Sequence, residues 1–189
     1  MCHLYARFPM TKWEEKKSRT YSSGEETICE IVLEYSENGR VKERNIQYGS
    51  QSAHAMYKYD FYGRLIEGNM TGTNVPKDPF GTEITNFSYQ YDDFNNISSS
   101  TTVFKNEEEN VTTFTYDDVN PCKLINVTHS HSQYPSELQL QYDDSGNITF
   151  DGIEKTFAYD PFEKLASIDT VEKKWEYKND FCWASIFAE

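Results

Sequence analysis

The chain has 189 residues, enough for one domain or a piece of a larger one, and its formal net charge of −13 argues against nucleic acid or anionic membrane as a partner. Only 37% of residues are hydrophobic, yet 15% are aromatic, with 14 tyrosines and 12 phenylalanines, a balance that favours β structure packed through rings. Four cysteines (Cys2, Cys29, Cys122, Cys182) lie far apart without a CxxC pair, which excludes a zinc site or dense disulfide frame, and no apolar run suits a signal peptide or a membrane span.

Residues 1 to 20 include the mixed-charge run TKWEEKKSRT and carry none of the grammar that follows. They are expected to be a leader or a poorly ordered arm. From residue 21 to 178 one pattern recurs. In IVLEYSENGRV, Leu33 and Tyr35 alternate on one strand face, Gly39 holds a turn and Val41 opens the return. YKYDFYGRLIEGN, residues 57 to 69, is the fullest copy. Tyr57 and Tyr59 share a face, Asp60 fits the first position of a type I turn, and Gly63 fits the fourth, where positive φ costs glycine nothing. Leu65 opens the returning strand.

TGTNVPKDPFGTEITN, with Pro76, Pro79 and Gly81, reads as an exposed loop. FSYQYDDFNNI then repeats the pattern with Tyr91, Asp92, Asn95 and Ile97, and FTYDDVNPCKL with Tyr116, Asp117 and Asn120. In the latter copy Pro121 and Cys122 push the strand-opening leucine out to Leu124. LQYDDSGNI supplies Tyr142, Asp143, Gly146 and Ile148; FAYDPFEKL supplies Tyr159, Asp160 and Leu165. Asparagine and glycine, the residues most tolerant of positive φ, hold the fourth position after the tyrosine, and Glu163 breaks that rule. A degenerate last copy, WEYKNDFCWASI, carries Tyr177, and residues 179 to 189 form an apolar C-terminal edge. The spacing varies from 17 residues (Tyr142 to Tyr159) to 32 (Tyr59 to Tyr91), which places the length differences in the connections. The fold class expected is all-β: repeated antiparallel hairpins, each unable to bury its own face, stacked into a curved, open sheet.

Candidate chemistry is thin. The repeated aspartates have a sufficient role as turn caps. The doublets Asp92-Asp93, Asp117-Asp118 and Asp143-Asp144 could offer oxygens to calcium, but no loop has the alternating ligands of an EF-hand. His129 and His131 would share a strand face, without a third metal ligand in sight. No phosphate loop, nucleophile elbow or HExxH occurs. The sequons at Asn69, Asn86, Asn96, Asn110, Asn126 and Asn147 are what asparagine-rich turns leading into Ser/Thr-rich strands produce by composition.

The Tyr-x-Tyr-Asp-x-x-Gly-Arg-Leu grammar resembles the YD repeat of the rearrangement-hotspot (RHS) family, and YKYDFYGRLIEG matches it almost residue for residue. The ordered series YDFYGRL, VPKDPFGTEI and FSYQYDDFNNI resembles the RHS region of Tc insecticidal toxin complex C-type proteins. So do Asn120-Pro121-Cys122, Tyr134-Pro135 and the pair LQYDDSGNITFDG and TFAYDPFEKLASI. The resemblance implies a non-catalytic piece of a β-shell that encloses a toxin domain. It implies no cofactor, an extracellular location, and partnership with other subunits or the remaining shell of a toxin complex and with an encapsulated toxin polypeptide. The self-cleaving segment and toxin that follow in relatives have no counterpart here, so the chain reads as a truncated or partial member. Pairing through the C-terminal edge strand, as a dimer, is a further expectation. The alternative is a YD-repeat surface or adhesion module recognising carbohydrate or protein, with teneurin-like proteins as precedent by resemblance.

Overall fold

The computed structural model describes residues 16–24, 26–179 and 184–186. Their regular structure is all β-strand, without a helix. In chain order the strands are β1 Lys16–Ser23, β2 Glu26–Tyr35, β3 Val41–Tyr48, β4 Gln51–Tyr59, β5 Leu65–Gly72, β6 Ile84–Tyr91, β7 Ile97–Phe104 and β8 Glu109–Tyr116. There follow β9 Leu124–His129, β10 Glu137–Gln139, β11 Gln141–Tyr142, β12 Ile148–Phe150, β13 Thr156–Tyr159, β14 Leu165–Asp169, β15 Lys174–Asn179 and β16 Ala184–Ile186. Strands β1 to β10 and β11 to β16 each follow one another in chain order, and neither order closes on itself. Along β1 to β6, β8 to β10 and β11 to β16 each pairing is antiparallel between strands consecutive in the chain, so strand order there needs no crossover.

Two compact units divide the chain: residues up to Gln90 with Ser99–Val111, and Tyr91–Ser98 with Thr112 onward. In the first, Ala55, Met70 and Val75 are buried, with Tyr57, Ile84 and Phe87 packed against them. Among the described residues Phe104 is the largest fully enclosed side chain. In the second, Val127 and Thr112 are buried. Most other described strand residues are only half-buried or exposed.

Strand pairing begins inside the span expected to be a leader. Lys16 of β1 pairs with Glu34 of β2 and Tyr21 with Cys29, because backbone hydrogen bonding needs none of the turn grammar. At the other end, Tyr177 pairs with Ile186, making β16 the last strand of its sheet; Phe181, Trp183 and Phe187 of the expected apolar edge lie outside the described residues. The segment expected to be an exposed loop is also more ordered than its prolines suggest. Val75 is buried, and Asp78 builds a turn of its own, with the Gly81 amide donating to its carbonyl (3.1 Å) and the Thr82 amide to its carboxylate (2.7 Å). A further hairpin turn, from Phe104 to Glu108, lacks the tyrosine–aspartate pair; Glu107 takes φ 68° in it.

Candidate functional site

The residues that recur in sequence meet at the hairpin turns. In the copy at Tyr59 the Gly63 amide donates to the Asp60 carbonyl, and the Asp60 amide to the Arg64 carbonyl, both at 2.9 Å. The carboxylate of Asp60 then accepts the Arg64 amide at 2.8 Å and the Arg64 side chain at 2.6 Å. This is a type I turn closed by a left-handed residue, with the side chain satisfying an amide the ladder cannot reach. Asp92 accepts from Phe94 and Asn96, Asp143 from Ser145 and Asn147, and Asp160 from Phe162 and Lys164. Ser36 does the same work beside Tyr35, its hydroxyl accepting the Arg40 amide at 3.2 Å.

The left-handed position is filled by Gly39 (φ 74°), Gly63 (80°), Asn95 (69°) and Gly146 (87°), and by Glu163 at 62°. Glu163, the exception in residue type, therefore keeps the backbone conformation of the others. Asn120 has no such conformation: with Pro121 and Cys122 inserted, Asp117 accepts the Val119 and Asn120 amides, and its own amide donates to Lys123. Arg64 is not the solvated side chain that a turn-tip position suggests. It is held by Asp60 and lies 5.2 Å from the ring centre of Tyr62.

Two further features escaped the sequence pattern. The first is a β-bulge at each of five copies. Tyr35 pairs with Val41 while Glu34 pairs with Glu43, leaving Lys42 as the extra residue; Tyr59, Tyr116, Tyr142 and Tyr159 sit beside equivalent register shifts. A bulge bends its strand and raises local twist. The second is a bond between copies. Tyr59 donates its hydroxyl to the carbonyl of Val41 (2.8 Å), Tyr116 to Ile97 (2.9 Å), Tyr142 to Leu124, and Tyr159 to Ile148 (3.0 Å). Each acceptor is the residue that opens the returning strand of the copy before. Burial lifts the phenols of Tyr59, Tyr116 and Tyr142 above their ordinary range, which keeps them protonated as donors.

Contacts also run forward. Arg40 donates to the Gly63 carbonyl at 3.0 Å and Asn96 to the Pro121 carbonyl at 2.6 Å, while Lys123 lies 4.8 Å from the ring centre of Tyr142. For Arg40 and Asn96 the signal that could have found them is the polar or cationic residue that follows the left-handed turn position; Lys123 has no such residue before it.

Asp92, Asp117 and Asp143 point their carboxylates at turn amides and are half-buried, whereas Asp93, Asp118 and Asp144 are exposed. Each doublet thus divides its two carboxylates between the turn and solvent. Among the described residues no group of three His, Cys, Asp or Glu could hold a metal ion. His129 ends β9 and bonds Thr112 at 3.0 Å, while His131 lies beyond the strand; their rings meet Tyr134 rather than a shared ligand. Burial lowers the His129 pKa, favouring the neutral ring. The sequon amides are likewise in use: those of Asn69, Asn86, Asn96, Asn126 and Asn147 donate hydrogen bonds, and Asn110 is buried.

Hydrogen bonds from the Asn120 and Val119 amides hold Asp117 below the usual aspartate range, and the Asn147 side chain and amide do so for Asp143. Burial opposes the Asp60 carboxylate, but the bonds from Arg64 outweigh it and its pKa is also lowered. An unfolded aspartate takes its proton at about pH 3.9. Between that value and the lowered folded ones the unfolded chain binds more protons, so stability present above the unfolded pKa is lost as pH falls. The melting temperature is expected to drop on acidification from about pH 5 to about pH 3, and Asp143→Asn to flatten that dependence. A melting temperature unchanged across that interval would contradict the capping role.

Neither a family model nor a curated protein matches the chain. Among solved structures, the crystal structure of TcdB2–TccC3–TEV aligns with 86% of it at a TM-score of 0.52 and 14% identity, and the chain spans about 10% of that chain's length. TcdB2–TccC3 (TM-score 0.36, 11% identity, 90% of this chain and 13% of that one) and the Photorhabdus luminescens Tc holotoxin pore (0.34, 10%, 88% and 13%) are weaker likenesses that add nothing to the first. The chain shares the all-β repeat fold of part of a Tc toxin chain.

Proposed function

We propose that this chain is a non-catalytic structural module: a stretch of RHS-type hairpin repeats, residues 21–178, belonging to the shell of an extracellular toxin complex. Its partners are the remaining repeats or other subunits of that complex, with a toxin polypeptide enclosed by the assembled shell. The bonds between successive copies carry this reading. A tyrosine hydroxyl reaching back and a side chain reaching forward make each repeat depend on its neighbours, the physical logic of a repeat scaffold. The turn aspartates, spent on backbone amides, supply that architecture rather than a reaction. The likeness to a tenth of a much longer toxin chain supports the same reading.

The terminal strands of open sheets leave main-chain groups ready to pair. Sedimentation velocity is expected to find the intact chain associated, and deletion of residues 181 to 187 to shift it towards monomer. A clean, soluble monomer for the intact chain would count against the exposed edge and favour a self-contained domain.

A second reading, a surface module that binds carbohydrate or protein, is favoured by the turn tips. Phe61 is 98% exposed, Tyr62 75%, Val119 93% and Phe162 68%, more apolar exposure than a turn needs for its geometry. Alanine at Phe61 and Tyr62 together leaves the sheet intact under either reading and abolishes binding only under this one.

A further inference from the structure

The turn joining β2 to β3 holds the single Asn-Gly pair of the sequence, Asn38-Gly39. Asparagine before glycine is chemically labile, because glycine has no Cβ to keep its amide nitrogen from the asparagine side chain. Whether the pair reacts in a folded chain depends on the turn that holds it. Asn38 and Gly39 are both exposed, and the Asn38 side chain has no hydrogen bond to a described residue. A β-carbon built on Gly39 would meet nothing within 4 Å, so the chain has room to change course there.

The same turn is more weakly capped than its aspartate counterparts. Asp60, Asp92 and Asp143 each accept both the amide and the side chain of the residue four places on, at 2.6 to 3.1 Å. Ser36 offers a neutral hydroxyl, which takes the Arg40 amide at 3.2 Å. Hydrogen bonds to an ionised carboxylate are about twice as strong as neutral ones. The Gly39 amide, held by the Ser36 carbonyl at 2.8 Å, is therefore released by local opening more readily than its counterparts in those copies. Asp151-Gly152, the single Asp-Gly pair, has the reverse setting. Its carboxylate accepts the amides of Ile153, Glu154 and Lys155, and a β-carbon on Gly152 would lie 2.9 Å from the Gln139 amide nitrogen.

We propose that Asn38 is a modification site: it converts in the folded chain through a cyclic imide to aspartate and isoaspartate, and the isoaspartate form uncouples this hairpin from the next. The Gly39 amide nitrogen bonds to the side-chain carbonyl carbon of Asn38, whose amino group leaves as ammonia with the proton of that nitrogen. Water then opens the ring at either carbonyl, its hydroxyl adding to the carbon and its proton returning to the nitrogen. Opening at the former side-chain carbonyl gives aspartate. Opening at the main-chain carbonyl leaves the chain running through the side chain, one methylene longer, as isoaspartate. Either product adds one negative charge. The longer path cannot keep both turn bonds, from the Gly39 amide to the Ser36 carbonyl at 2.8 Å and from the Ser36 amide to the Arg40 carbonyl at 2.7 Å. Arg40 then loses its placement against the Gly63 carbonyl, 3.0 Å away, and against the Tyr59 ring. The assignment rests on the turn alone and holds whether or not the chain is part of a shell.

The test is to hold the full native chain in mildly alkaline buffer at physiological temperature and follow Asn38 by peptide mass mapping and isoaspartyl methyltransferase labelling. Isoaspartate is expected to accumulate at position 38, with position 151 unlabelled. Ser36→Asp, which installs the carboxylate cap of the other copies, is expected to slow the reaction about fivefold in the native chain. In urea the two chains are expected to react at equal rates. The purified isoaspartate form is expected to exchange its Gly63 and Arg64 amide hydrogens faster than an Asn38→Ser chain incubated alongside. No isoaspartate at position 38, or equal labelling at position 151, would overturn the proposal. So would a Ser36→Asp rate that is unchanged in the native chain or equally slowed in urea, and so would Gly63 and Arg64 amides as protected as before.

Discussion

Replacing Phe104 with alanine is expected to cost about 3–5 kcal/mol, the largest single-residue effect in the chain. The ring is 2% exposed at the end of β7, and few other described side chains are enclosed. Removing it takes away the transfer energy of a phenyl group and leaves a cavity in its place. The same residue closes the turn that follows, accepting the Glu107 amide and donating to the Glu108 carbonyl, but those are backbone bonds and survive the substitution. Domains of this size are typically stable by about 5–15 kcal/mol, so the variant should be marginal. Urea unfolding would show a lower midpoint at unchanged slope. A loss below about 1 kcal/mol would mean that Phe104 is not a packing centre.

Valine at Gly63 is expected to cost about 2–4 kcal/mol, from two sources that can be separated. One is backbone strain, since φ at this residue is 80°. The other is crowding: a β-carbon placed here would lie 1.6 Å from the Arg40 guanidinium, so Arg40 must leave and give up its bond to the Gly63 carbonyl. Gly146 has a similar φ, 87°, with nothing within 4 Å of such a carbon. Gly146→Val should therefore cost only the strain, about 1–3 kcal/mol. Equal losses from the two valine substitutions would remove the inter-repeat role of Arg40. Arg64→Ala should cost less than either, about 0.5–1 kcal/mol, because its ion pair with Asp60 is partly exposed.

The hairpins were readable because their turn chemistry is local. An aspartate, two free positions and a residue tolerant of positive φ, with an aliphatic residue two places further on, fix a turn within a span of six residues, as at Asp60 to Leu65. What depends on residues further away was not readable. The Asp78 turn hid inside a proline-rich stretch because no Tyr-x-Tyr strand announces it. The turn at Phe104 has no aspartate, and Glu163 has no glycine, yet the strands on either side impose the same path. β1 was missed because strand pairing to β2 leaves no motif. The tyrosine hydroxyls were the largest omission. Alternation explains why the rings share a face, but their partners, Val41, Ile97, Leu124 and Ile148, lie from 11 to 19 residues away, and only pairing of whole hairpins brings them together.

The central claim is that successive repeats are coupled into one structural module, and native-state hydrogen exchange on Tyr116→Phe tests it most directly. The substitution keeps the ring and deletes only the hydroxyl that donates to the Ile97 carbonyl. Coupling predicts faster exchange in both copies that the bond joins: at the turn amides of Asn95 and Asn96, and at those of Asn120 and Lys123. Faster exchange confined to the copy that carries residue 116, with Asn95 and Asn96 as protected as before, would contradict it.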